Sequence, residues 1–231
     1  MRKKSLILIL FIILKCQVQA QNNNTVNIHF SGLFNGSKII FNDYYALFSK
    51  TDSIQFTSIK FYISNLELLK NTRSVYTEPN SFHLIDLCFD STSFISLPIP
   101  ENISYDELKF HIGIDSLTNV SGAMGGDLDP TKGMYWTWQN GYINAKIEGK
   151  SNLCKTRHNE FEFHIGGYTY PFNSLQTKRL LVKNKNDINL ILEMEKLFQE
   201  INLSTQNKLM SPSSEVVKLA ILFSTTFTLA K

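Results

Sequence analysis

Only three cysteines occur in 231 residues, and no C-x-x-C or paired Cys/His spacing is among them. A zinc-finger or thioredoxin-like motif is thereby excluded. There is no H-E-x-x-H, no G-x-S-x-G and no glycine-rich phosphate loop, so the local signatures of zinc proteases, serine hydrolases and nucleotide enzymes are missing. Nor is there a large charge excess. The 23 basic and 20 acidic residues leave +3, and Arg2, Lys3, Lys4 and Lys15 all fall in the first twenty positions. Beyond them, 19 basic residues face 20 acidic ones, a net charge of −1. No basic cluster remains to suggest a nucleic-acid partner.

Long apolar runs are confined to the beginning of the chain. The segment SLILILFIIL (5–14) follows a positive stretch and is too short to span a bilayer. Val18 and Ala20 then form an A-x-A-like site, which predicts a signal peptide over 1–20, cleavage before Gln21, and a single domain over 21–231. Cys16 invites a lipid-anchored reading, but Lys15 stands where a small residue is expected, so soluble export to the periplasm or medium is favoured. Of the remaining cysteines, Cys88 and Cys154, an oxidising compartment permits a bridge. Their spacing leaves a disulfide and two separate buried thiols both open.

What is present is alternation. VNIHF (26–30), SIKFYISNLELL (58–69), ELKFHIGI (107–114) and EFEFHIG (160–166) each place apolar residues at every second position. Turn residues punctuate them at Asn35-Gly36, Asn71, Pro79-Asn80, Pro98, Pro100 and Gly125-Gly126. Strands at this spacing predict an all-β fold, an antiparallel β-sandwich. After Ser211-Pro212, EVVKLAILF (215–223) sets Val216, Leu219, Ala220 and Phe223 on one helical face, which predicts a short C-terminal α-helix capped by Ser213 or Ser214.

Both tryptophans of the chain, Trp136 and Trp138, lie in GMYWTWQNGY (133–142). Read as part of a strand over 134–147, they share one face and belong to a sandwich core. The five histidines are scattered, yet His29 and His164 both sit on the polar sides of alternating strands, and His164 precedes Gly166-Gly167. Asp127 and Asp129 in GGDLDP lack enough neighbouring carboxylates for calcium, and an Asx-turn before Pro130 accounts for them better. The long connection 115–133 is polar and glycine-bearing, a length usually associated with function or mobility.

Several blocks resemble the MbnP-like family of exported bacterial proteins: FTSIKFYISNLELL (56–69), SFHLIDL (81–87), KFHIGID (109–115), DLDPTKGMYWTWQNGYINAKIEG (127–149), FEFHIGGY (161–168) and LMSPSSEVVKLA (209–220). The resemblance covers about residues 25–225 and is most specific in the central block. It implies a non-enzymatic, extracytoplasmic, monomeric copper-binding protein related to MbnP, CorA and MopE. It further implies a tryptophan oxidised to kynurenine by a dihaem peroxidase of the MauG/MbnH type. Carried onto this sequence, the metal residues are His164 with Trp136 or Trp138, and His29 as a second ligand on its polar-face placement. Imidazole and aniline nitrogens suit copper. The positions around the tryptophan pair, Tyr135, Thr137, Gln139 and Asn140, include no histidine. The rival expectation is a metal-free interaction module that meets a partner protein through loop 115–133.

Overall fold

The computed structural model describes residues 24–230 apart from 48 and 50. The signal-peptide reading over 1–20, with Cys16, lies outside these residues. The chain opens with β1 (Asn24–Phe34), the short β2 (Ser37–Lys38) and β3 (Tyr44–Ala46). There follow β4 (Ser53–Lys70), β5 (Arg73–Thr77), β6 (Phe82–Asp86), β7 (Phe94–Ile99) and β8 (Glu107–Ile112). The second half runs through α1 (Ser116–Val120), β9 (Tyr135–Trp136), β10 (Gly141–Ser151), β11 (Glu160–Gly166), β12 (Gln176–Leu181) and β13 (Asp187–Glu193). It ends with α2 (Glu195–Gln199), β14 (Lys208–Leu209), α3 (Ser214–Thr226) and β15 (Phe227–Leu229).

Alternation decides which side of each strand is dry. Along β1, Val26, Ile28 and Phe30 are buried while His29 is exposed. Along β11, Phe161, Phe163 and Ile165 turn inward. Two sheets bury these stripes against each other, as expected for a sandwich. The first has the order β15-β13-β1-β2 with β7 also on β1; the second has the order β12-β8-β4-β10-β11-β14. β4 is the spine of the second sheet, pairing with β3, β5, β6, β8 and β10 along its length. Most pairings are antiparallel. Two are parallel, β1 with β13 and β11 with β14, a feature that alternation within single strands does not encode.

Phenylalanine fills the space between the sheets. Phe34, Phe56, Phe161 and Phe198 meet largely edge to face, with centroids 5.4–6.4 Å apart. Burying each such ring contributes about 1.5–3 kcal/mol. The C-terminal helix completes the core as its sequence pattern predicts. Ser213 caps it by accepting from the Val216 N–H at 3.2 Å, and Val216, Leu219, Ala220 and Phe223 are buried. Phe61 of β4 lies 5.9 Å from Phe223 and 5.3 Å from Phe227. The two cysteines are separate thiols, Cys154 in the core and Cys88 half-buried. Burial pushes both up to about 11, which leaves them weak nucleophiles.

One departure from simple alternation positions the candidate site. Tyr62 and Ser64 lie on the outer face of β4, where a wetter surface is expected, yet both are fully buried. Tyr62 belongs to a second, smaller hydrophobic cluster with Ile114, Leu128, Met134, Trp136, Tyr142 and Ile143, built outside the sheet from β10 and the connection that precedes it, and Ser64 donates to the Gly113 carbonyl at its start.

Candidate functional site

That connection is tightly fastened. Asp115 caps α1 through the Thr118 N–H at 2.8 Å. Asn119, itself buried, donates to the carbonyls of Ile114 and Asp115 and accepts from the Tyr142 N–H at 2.8 Å. Asp127 takes the Leu84 N–H at 3.0 Å and binds the Lys132 ammonium, while the Tyr62 hydroxyl donates to its carbonyl. Asp129 forms the expected turn, accepting from the Thr131 N–H at 2.8 Å. The buried bonds of Asn119 satisfy polar groups that the small outer core would otherwise strand, and the exposed Asp127 and Asp129 contacts pin the loop at its rim.

The tryptophan segment is a hairpin, not the single strand over 134–147 that alternation suggests. Tyr135 pairs with Tyr142 and Trp136 with Gly141, and the turn is closed by the Gln139 N–H on the Trp136 carbonyl at 3.3 Å. Asn140 supplies the left-handed residue, φ 50°, a conformation asparagine tolerates well. The consequence is a divided pair: Trp136 is 6 % exposed and Trp138 is 65 % exposed. Their rings remain in contact, centroids 5.6 Å apart and planes tilted by 40°.

Trp136 packs onto β11 at Gly166. A methyl group at that position would stand 2.5 Å from Cζ3 and 2.8 Å from Cη2 of the indole, so glycine is what admits the ring. Gly166 is two residues beyond His164, and strand alternation puts both on the outer face. The indole and the imidazole therefore share one surface of the second sheet.

His164 is 6 % exposed. Its Nε2 lies 2.8 Å from Glu148 Oε1, and Lys146 reaches the same carboxylate at 3.3 Å. The hydrogen bond from His164, with the Lys146 charge as a smaller contribution, holds the Glu148 carboxyl below its ordinary value of 4.5. An ionised carboxylate only accepts, so a ring N–H sits on Nε2, and Nδ1 is the nitrogen left to offer a lone pair to a metal. A carboxylate fixing the far nitrogen of a histidine is the usual support for a metal-binding imidazole. In the hairpin turn, Gln139 Oε1 is buried without a hydrogen-bond partner among the described residues.

The other expected ligand is elsewhere. His29 lies exposed on β1 of the first sheet, stacked on Phe94 at 6.0 Å, and the phenylalanine core separates it from His164. It was placed on a polar face correctly, but that face belongs to the opposite side of the sandwich. Among the described residues no three His, Cys, Asp or Glu side chains cluster to hold a metal. Glu148 is the site residue that sequence reasoning missed, whereas Gly166 stands out in the sequence as a glycine beyond His164 but without its partner, Trp136. Glu148 lies one residue beyond the strand read over 134–147, and the β10–β11 register, Lys146 opposite His164, is what brings it to the imidazole.

Because Glu148 titrates below its ordinary value when folded, its ion pair adds stability above pH 4.5 and loses it as pH falls through the depressed value. Wild type is therefore expected to exceed E148Q in urea midpoint at neutral pH. The two midpoints should converge well below pH 4.5. A constant difference across that range would show that the carboxylate charge contributes nothing.

The MbnP family model matches residues 23–211. This chain belongs to the MbnP family. The matched region holds both sheets' main strands, the tryptophan hairpin and the His164 strand, and it ends before α3. Among solved structures, the fold is similar to MbnP from Methylosinus trichosporium, with a TM-score of 0.59 at 14% identity, covering 83% of this chain and 82% of that one. At that identity the likeness to MbnP is one of fold. No curated protein matches. Among the described residues, no helix is long and apolar enough to cross a membrane.

Proposed function

We propose that this chain is an exported, non-enzymatic copper-binding protein. In it His164 and the oxidised ring of Trp136 hold one copper ion on the outer face of the second sheet. The observation that carries this reading is the packing of Trp136 on Gly166, beside an imidazole whose Nε2 is tied to Glu148. The unmodified residues offer one good nitrogen, Nδ1 of His164. The second donor comes from the indole. Two oxygen atoms from water enter across its C2–C3 bond as four electrons and four protons leave to reduce two peroxides to water, and hydrolysis then releases the formyl carbon as formate. The product carries an aniline nitrogen and a ketone, and nitrogen donors of this kind favour copper. A dihaem peroxidase of the MauG/MbnH type fits the role of oxidant.

The test is to purify the exported protein with and without such a peroxidase, then measure copper stoichiometry and map both tryptophans by peptide mass. Stoichiometric copper and loss of one carbon with gain of one oxygen at Trp136 are expected. H164A should weaken copper binding by about a hundredfold or more, since even supporting residues cost 10–100-fold. Its melting temperature should fall as well, because the buried ring and its bond to Glu148 are lost together, so E148Q serves as the stability-matched control for copper loss. Full copper loading of H164A would overturn the assignment.

A second reading rests on Leu117, Val120 and Met124, which the β8–β10 connection leaves exposed. An uncharged apolar stretch of this kind suits contact with a partner protein. Under that reading no copper binds, and H164A leaves partner binding unchanged while L117A and V120A weaken it.

A further inference from the structure

The two tryptophans differ in access but not in contact. A reagent arriving from solvent meets Trp138, 65 % exposed, before it meets Trp136, 6 % exposed. With centroids 5.6 Å apart the ring edges touch, a separation across which an electron tunnels far faster than a reagent diffuses. The contact is fixed rather than incidental. Both rings project from one turn, closed by the Gln139–Trp136 backbone bond and by the pairing of Trp136 with Gly141. Removing Trp138 would cost little packing, because most of its surface already faces water.

We infer that Trp138 is an electron relay through which an oxidant at the surface withdraws electrons from the buried Trp136. The inference rests on the reading of Trp136 as the ring that is oxidised. In the first step a one-electron oxidant takes an electron from Trp138 and leaves an indole radical cation. Trp136 then passes an electron to Trp138, which is restored, and the hole on Trp136 is stabilised by loss of its N1 proton to water. A second turn of the same cycle, with one water molecule attacking the ring, places one oxygen on Trp136. The net balance is two electrons to the oxidant, two protons to solvent and one water oxygen retained. Transfer between two indoles is close to thermoneutral, so the hole settles where onward chemistry consumes it.

The buried tyrosines nearby are poor sinks for the hole. Tyr135 touches Tyr142 at 5.0 Å, and Tyr142 touches Tyr62 at 5.9 Å, a row leading into the small outer core. Burial raises the Tyr62 and Tyr142 phenols, which opposes the proton loss that accompanies tyrosine oxidation.

The experiment uses the copper-free protein and photogenerated tris(bipyridine)ruthenium(III), an outer-sphere one-electron oxidant, with oxygenated products counted by peptide mapping. In wild type, products are expected at Trp136. W138F should lower them several-fold, and W138Y, which keeps an oxidisable ring, should restore part of the yield. In W136F the products should gather at Trp138. If Trp138 merely shields its neighbour, W138F will expose Trp136 and its yield will rise. An equal or higher yield at Trp136 in W138F overturns the relay. Copper takes no part in the measurement, so failure of the copper reading would show in metal stoichiometry and failure of the relay only here.

Discussion

Truncating Asn144 to alanine is expected to remove about 2–4 kcal/mol of unfolding free energy, although only one polar side chain is lost. Asn144 is 2 % exposed and works in two directions. Its Oδ1 accepts from the Ile114 N–H at 2.9 Å, and its Nδ2 donates to Ser174 Oγ at 2.9 Å. Ser174 in turn donates to the Gly167 carbonyl at 3.2 Å. The side chain also lies against Gly113, φ 112°, where a Cβ would sit 2.4 Å from its Cγ. Alanine therefore strands the buried Ile114 N–H, takes the incoming bond from Ser174 and opens a void, and the stranded N–H alone costs about 1–3 kcal/mol. A useful control is Asn152, which also makes two such bonds, to the Ser53 N–H and the Thr51 carbonyl, but in water. N152A should cost within about 1 kcal/mol. With a urea slope of about 1–3 kcal/mol/M, N144A should shift the midpoint by about 1–2 M and N152A by much less. Equal shifts would mean that burial of this network contributes nothing.

Asn144 sits among long-range contacts of a kind that sequence reading does not reach, whereas the strands that carry them are local. The period of two over 26–30, 58–69, 107–114 and 160–166 reflects a sheet with one dry side, and each of these segments forms a strand, the third only as far as Ile112. The C-terminal helix was equally legible, because its capping serine and its apolar face are both local in sequence. Local signals say nothing, however, about which side of a strand a distant loop will cover. Tyr62 and Ser64 alternate as surface residues do, and they are buried only because residues 113–140 fold over them. For the same reason the hairpin turn at Trp136–Gly141 could not be read from its aromatic alternation. His29 and His164 looked alike in sequence, each polar-facing on an alternating strand. Which sheet each strand joins is a long-range fact, and it sends the two histidines to opposite sides of the core. The likeness of the central block to the MbnP family supplied what periodicity lacked, the association of the tryptophan segment with the His164 strand.

Gly166→Ala is the substitution that separates the site from the scaffold. Replacing glycine by alanine within a strand ordinarily gains a few tenths of a kcal/mol to about 1 kcal/mol through the unfolded chain. Here the new methyl would meet Trp136 Cζ3 at 2.5 Å and the Tyr142 carbonyl at 3.0 Å. The backbone oxygen belongs to a paired strand and cannot retreat, so the indole must. Overpacking of this kind costs about 1–3 kcal/mol, more than the entropic gain, and the net effect is destabilising. Gly125→Ala is the matched control: no heavy atom stands within 4 Å of its Cβ and its φ of −97° suits any residue, so stability should hold or rise slightly. The functional consequence is larger than the energetic one. A ring pushed off Gly166 no longer faces the surface it shares with His164, and copper affinity of the oxidised protein should fall about tenfold or more. Tryptophan emission should shift to the red as Trp136 meets water. A G166A protein that keeps both its emission maximum and its copper affinity would show that the indole does not need this seat, and with it the reason for assigning Trp136 rather than Trp138 would be gone.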